Sequence, residues 1–277
     1  MKTIKGFYSH YIRDIVEVMR KPVVSVLPGH LSFFLLLSFI PLSIIFAIIA
    51  NMFSISFDNF GELVKNFPID PNELFNPTYS SSIVGIGFFL LIVSALYLAS
   101  RATKAIILTA NNIYDVRKNS MKDIIKSILI TLLIIFLIIF ITVILILGER
   151  LLNVLLLLPD SGRHGEIVTL INIFKWPISL FLIFFLVKAI YILTPNKRIK
   201  GKTVNKGSLF TTISWSAVTF IYSYYIPNFS SYDSYYGSAS SIVVLMLWLY
   251  IISKLFVIGM IINSLEEKKE QEIEKQA

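Results

Sequence analysis

Lys188 and Lys254 stand inside runs of otherwise apolar residues, and Arg101 and Lys104 close another such run. A cation in hydrocarbon costs at least about 2 kcal/mol unless it is hydrated, paired or bonded to oxygen. No Asp, Glu or His lies within any of the apolar runs, so a carboxylate proton relay has no candidate residue. Buried cation without buried anion is the pattern of a site for a negatively charged group, and phosphate oxygens suit both side chains. The expectation is an anion site drawing on Arg101, Lys104, Lys188 and Lys254, entered by an anionic lipid headgroup from the inner leaflet. The competing account is snorkelling, in which the lysine stem lies along apolar surface and its ammonium reaches the headgroups. Lys188 is about five residues from the end of its run and can do so. Lys254 lies about eight residues from the end of its run, or about 12 Å by helical rise, and reaches less easily.

Two further features bear on transport. Pro41 falls in the middle of the first apolar run, where it removes a backbone hydrogen bond and predicts a kink. Ser38 stands one turn before it, placed to satisfy a freed carbonyl. Between Tyr222 and Tyr236 the chain is dense in aromatics around Pro227 and Asn228, with Tyr232, Tyr235 and Tyr236 beyond. Such a segment suits an aromatic belt at the membrane boundary, or a platform that stacks on a headgroup. No P-loop, GxSxG or HExxH motif occurs, and His10, His30 and His164 are scattered. Neither catalytic residues nor a metal or other cofactor are expected.

The elements that must position these residues follow from composition. Of 277 residues, 56% are hydrophobic and 15% charged, and the mean hydropathy is +0.76. Soluble domains carry more charge than that. There is no cysteine, which excludes disulfides and thiolate chemistry. Six apolar runs, at about 31–50, 82–100, 127–148, 176–193, 208–227 and 239–262, are each long enough to cross a hydrocarbon core. The fold expected is an all-α integral membrane protein with six transmembrane helices. The spans occupy 31–262, preceded by residues 1–30 and followed by a charged tail, 263–277.

Charge sets the orientation. Segments 1–30, 101–126, 195–207 and the tail carry five, six, five and three Lys or Arg, whereas 51–81, 149–175 and 228–238 carry one, three and none. The positive-inside rule puts both termini in the cytoplasm. The net charge of +8 is then topogenic and faces anionic lipid; no nucleic-acid partner is expected. Ile4, Phe7, Tyr8, Tyr11, Ile15, Val18 and Met19 recur at helical spacing, predicting an amphipathic helix over 4–21 that lies in the headgroup plane or packs on the bundle. The tail, with five Glu and three Lys, reads as a solvated end or frayed helix.

The chain resembles the YihY/BrkB family of bacterial inner-membrane proteins. The resemblance rests on Ser38-Phe39-Ile40-Pro41, Ala99-Ser100-Arg101, Asn112-Ile113-Tyr114 and Leu193-Thr194-Pro195-Asn196. It continues in Asn228-Phe229-Ser230-Ser231-Tyr232, Tyr236-Gly237-Ser238, Leu247-Trp248-Leu249-Tyr250 and Gly259 to Asn263. It implies a multi-pass protein of the bacterial cytoplasmic membrane and, as an activity, export or translocation of envelope lipids. The family often has an acid between that last Gly and Asn, where this chain has Met260, Ile261 and Ile262. Family members have been labelled ribonuclease BN, yet no acid cluster here would hold a metal for phosphodiester hydrolysis. The expectation is therefore a transporter-like protein whose partners are anionic membrane lipids. The alternatives are a non-transporting scaffold for an envelope enzyme and, behind it, a membrane hydrolase. A homo-oligomer is compatible with small residues such as Gly85, Ala95 and Ala99.

Overall fold

A computed structural model describes residues 12–52, 81–116, 120–156, 164–228 and 239–276, and every regular element among them is a helix. A short helix, α1 (Ile12–Arg20), meets the following one at 79°. Then come α2 (Pro22–Met52), α3 (Ser81–Ile113), α4 (Ser120–Leu156), α5 (His164–Leu193), α6 (Asn205–Asn228) and α7 (Ala239–Gln276). The α1–α2 bend has a local cause. Pro22 opens α2 where no N–H is needed, and a proline disfavours helical geometry at the residue before it, Lys21. The Lys21 carbonyl accepts from Val24 N at 2.9 Å and Ser25 N at 3.0 Å to start the new helix.

Within the described residues, windows at Ile92–Ile113, Met121–Phe140 and Val243–Gln276 are long and apolar enough to cross a membrane. A fourth arises if Ile12–Arg20 and Pro22–Ser38 count together, and Pro177–Leu193 is a shorter apolar helix. α4 shows why. Ile125, Leu129, Leu132, Phe136 and Phe140 are exposed on it, while Asp123, Ser127, Ile130 and Thr131 are buried. A helix that packs by its polar residues and exposes its aliphatic ones is built for an apolar solvent.

The helices pack as a ring of neighbours: α2 against α3 and α7, α3 against α4, α4 against α5, α5 against α6, and α6 against α7. Alanines at 95, 99, 102, 105 and 110 line the buried side of α3, letting backbones approach closely. The best-packed region joins Val24, Leu27 and Leu31 of α2, Ile106 and Ile113 of α3, and Val187, Ile190 and Tyr191 of α5. Phe256, Val257, Met260 and Ile261 of α7 complete it. This cluster gathers the start of α2, the end of α3, the end of α5 and the last third of the apolar part of α7, so successive helices alternate in direction. Ile15, Val18 and Met19 of α1 pack against it, while Ile12 and Val16 stay exposed.

Three helices run further than the apolar runs suggest. α3 continues through Arg101 and Lys104 to Ile113, α4 begins at Ser120, and α7 carries the acidic tail to Gln276 in one unbroken helix. The connection between α3 and α4 is therefore short. α2 is continuous through Pro41, and the Ser38 hydroxyl donates to the Leu35 carbonyl at 3.0 Å. The carbonyl that Pro41 leaves without a donor is that of Leu37, four residues back. Ser38 therefore serves a different oxygen from the one a kink would free.

Candidate functional site

Chain ends of four helices meet at the lysine-rich end of the bundle. α3 stops at a left-handed residue, Asp115 (φ 52), and Val116 N bonds back to Asn111 O at 2.8 Å, the closure of a Schellman motif. α5 stops where Pro195 forbids continuation, leaving carbonyls without helical partners. Lys126, from the first turns of α4, takes them. Its Nζ donates to Thr194 O (3.0 Å), Pro195 O (2.8 Å) and Asn196 Oδ1 (3.0 Å). A cation at a helix C-terminus is also favoured by the helix dipole.

Asn196 ties the other strands of this knot. Its amide Nδ2 donates to Asp123 Oδ1 at 2.6 Å, and its backbone N–H donates to Asn111 Oδ1 at 2.9 Å. Asn111 and Asp123 are both buried. Beside them Lys197 pairs with Glu267 at 2.7 Å and lies over the Tyr114 ring, 4.8 Å from its centroid. Burial pushes the Tyr114 phenol up, with the Glu267 carboxylate adding to the effect, so it stays protonated at neutral pH.

On the neighbouring face α6 crosses α7. Gly207 N donates to Asn263 Oδ1 at 2.8 Å, so Asn263 caps α6 from another helix and satisfies one of its orphan amides. The backbones touch here: a Cβ on Gly207 would overlap the Gly259 carbonyl, and one on Gly259 would overlap Thr211 Oγ1. Tyr191 of α5 donates to Phe256 O at 2.7 Å and exchanges a 2.7 Å bond with Thr211 Oγ1. Met260, Ile261 and Ile262 are all buried beside this crossing. The positions where the resembled family carries an acid are thus apolar core.

The four cations picked from the sequence are not brought into one pocket. Arg101 is exposed on α3, its guanidinium 5.0 Å over the Tyr97 ring with Nε 3.0 Å from the Tyr97 hydroxyl. Lys104 lies one turn further along that helix. Lys188 leans over Phe184 at 5.9 Å, and its Cε lies near Gly201 in the α5–α6 turn, the direction snorkelling requires. Lys254 belongs to an outward stripe of α7 with Val243, Leu247 and Tyr250. Measured along the helices, Lys104 lies about 11 Å and Arg101 about 15 Å from Asn111, and Lys254 about 14 Å from Asn263. Pro41 and Asn228 fall where the backbone but not the side chain is described, and Tyr232, Tyr235 and Tyr236 lie outside the described residues.

Asn111, Asp123, Lys126, Asn196 and Asn263 escape a search for isolated charges in apolar runs. A usable signal exists: Asp123 and Lys126 are three apart at the head of the third run, hence on one helical face. Among the described residues no three His, Asp or Glu side chains converge as metal ligands would.

Comparison with known proteins agrees with this architecture. The chain is 27% identical over 259 residues to a ribonuclease-like protein, YfkH, of Bacillus subtilis, covering 88% of this chain and 90% of the relative. It is 24% identical to a UPF0761 membrane protein of Pseudoalteromonas atlantica (87% and 80% covered). One from Vibrio parahaemolyticus is 25% identical (90% and 79%). No solved structure matches. Residues 15–277 match the family described as virulence factor BrkB, and the motifs Asn112-Ile113-Tyr114, Thr194-Pro195-Asn196 and Gly259 to Asn263 all lie in or against the polar knot. The chain belongs to the BrkB family of membrane proteins.

Proposed function

We propose that the chain is a six-span protein of the bacterial cytoplasmic membrane, both termini inside, that moves an anionic lipid or envelope precursor between leaflets. The observation that carries this reading is the placement of Arg101 and Lys254 on exposed faces, with Lys104 half-buried one turn from Arg101. None of the three forms an ion pair with any described acid, and all lie about 11–15 Å along their helices from Asn111 or Asn263. Ionisable groups at such depth ordinarily mark a pathway. The alternation of helix directions, with the lysine-rich turns gathered at one end, supports the orientation.

In this reading the headgroup does not enter a central cavity. It follows the outward face of α3, where Lys104 and then Arg101 meet the phosphate while the acyl chains remain in lipid. Tyr97 orients the guanidinium, leaving N–H groups free for a phosphate. With no nucleotide-binding motif, movement is driven by a gradient, by another protein, or simply by the lipid imbalance.

The test is lipid exchange in proteoliposomes, using fluorescent anionic and zwitterionic lipids and a leaflet-selective quencher. The protein is expected to accelerate anionic lipid exchange, and R101A/K104A to slow it roughly tenfold or more, since each charge-assisted bond contributes about 1.5–3 kcal/mol. Acceleration unchanged in that variant would overturn the track. No acceleration with folded protein would favour a scaffold, a reading supported by Ile273, a large apolar side chain exposed on the polar part of α7.

The ribonuclease-like name is that of YfkH, and we read this chain as a non-enzyme. The same purified protein is expected to leave RNA intact with or without divalent metal. Cleavage abolished by a chelator would sink that reading.

A further inference from the structure

The α5–α6 turn and the first turn of α6 carry Lys197, Arg198, Lys200, Lys202 and Lys206 within ten residues. Three of these are matched by the last turns of α7. Lys197 pairs with Glu267 at 2.7 Å, Lys206 with Glu266 at 2.8 Å, and Lys200 with Glu274 and, at 4.0 Å, with Glu270. Glu266, Glu270 and Glu274 recur every four residues, so they form one acidic stripe along the helix. The pairs differ in exposure. Glu267 is 9% exposed, whereas Lys200 and Glu274 are 58% and 56% exposed.

We infer that the basic turn is a docking surface for anionic phospholipid headgroups, and that the acidic stripe of α7 is its built-in competitor. Exposed ion pairs are weak and screened by salt. A layer of anionic headgroups offers the same lysines a comparable attraction at many points at once. The turn follows the apolar helix Pro177–Leu193, and on the proposed orientation it sits at the level where headgroups are found. On a neutral membrane the glutamates hold the turn. On an anionic one Lys200 and Lys206 exchange carboxylate for lipid phosphate, and the far end of α7 is released. Lys197 and Glu267, sunk beside Tyr114, stay paired. Arg198 and Lys202, both exposed, join the lipid contact. The device rests on the α7 pairs and on the turn lying at a membrane surface. It does not require that the protein transport anything.

The test uses the native chain in lipid nanodiscs at one fixed ionic strength. A carbodiimide joins lysine to glutamate only where they touch, and mass spectrometry reads each linked pair. In phosphatidylcholine discs the Lys200–Glu274, Lys206–Glu266 and Lys197–Glu267 links are all expected. With about a third phosphatidylglycerol, the first two are expected to fall at least fivefold while Lys197–Glu267 persists as an internal standard. Equal yields of the outer links in both discs would overturn the proposal. So would an equal fall in neutral discs on adding inorganic phosphate at matched ionic strength, because the surface would then be a phosphate site rather than a lipid one. A variant K200Q/K206Q should keep the Lys197–Glu267 link in both discs, showing that the fold survives. A fall in the outer links without accelerated lipid exchange would keep this device and sink the translocase reading alone.

Discussion

A single methyl group at position 259 is expected to destabilise the protein by about 3 kcal/mol or more, the upper end of what overpacking costs. Its Cβ would overlap Thr211 Oγ1 and lie 2.5 Å from the Tyr191 hydroxyl and 2.9 Å from the Gly207 carbonyl oxygen. The Gly207 oxygen is backbone, so it moves only if α6 moves. Displacing α6 would also stretch the Tyr191–Thr211 and Asn263–Gly207 bonds. G207A should cost a similar amount. The double variant should cost less than the sum, because one displacement relieves both clashes. G29A is the control: among the described residues nothing lies within 4 Å of the added Cβ, and alanine is the better helix former by about 1 kcal/mol. The measurement is unfolding in a denaturing-detergent titration. If G259A unfolds at the same point as G29A, the α6–α7 crossing described above is wrong.

Replacing Lys126 by methionine is expected to cost about 1.5–3 kcal/mol, the range for hydrogen bonds made by a charged group. Methionine preserves the apolar stem but leaves the Thr194 and Pro195 carbonyls without a donor and Asp123 without its nearby cation. D123N should be milder on its own. Combined with K126M it should restore part of the loss, because neither charge is then left uncompensated. The coupling between the two positions, read from the four stabilities, is therefore expected to be stabilising for the native pair. A K126M protein as stable as the parent would show that the three bonds to Lys126 do not hold the end of α5.

These two contacts also mark the limit of what sequence makes legible. Helical class and membrane composition follow from length and hydropathy, because every stretch that faces lipid must be apolar whatever it packs against. Helix ends are less visible. Arg101 and Lys104 look like the exit from a span, yet α3 continues for more than two turns beyond, because Arg101 is exposed and Lys104 only half-buried, so neither interrupts the packing. The tail reads as a solvated end from its charge, but its glutamates recur at helical spacing opposite a basic turn far away in sequence. The polar knot was hidden for the same reason. Lys126 finds two of its three oxygens in main-chain carbonyls some seventy residues away, and carbonyls leave no mark in a sequence. Asn111 and Asn263 carry no charge, so a search for buried ions passes over them. Gly207 and Gly259 are unremarkable one by one and become meaningful only as a pair in contact.

The length of α7 gives that pair a mechanical meaning. Its 38 residues span about 57 Å, nearly twice a hydrocarbon core. Gly259, pressed against Gly207, lies 17 residues from Gln276, or about 25 Å. α7 is thus a lever with its fulcrum at the glycine crossing and its charged last turns as the arm. A tilt of about 10° at the fulcrum would sweep the tip by about 4 Å, enough to part Lys200 from Glu274. The converse holds too: a force at the charged tip turns the apolar arm, and with it the stripe that carries Lys254, against the lipid.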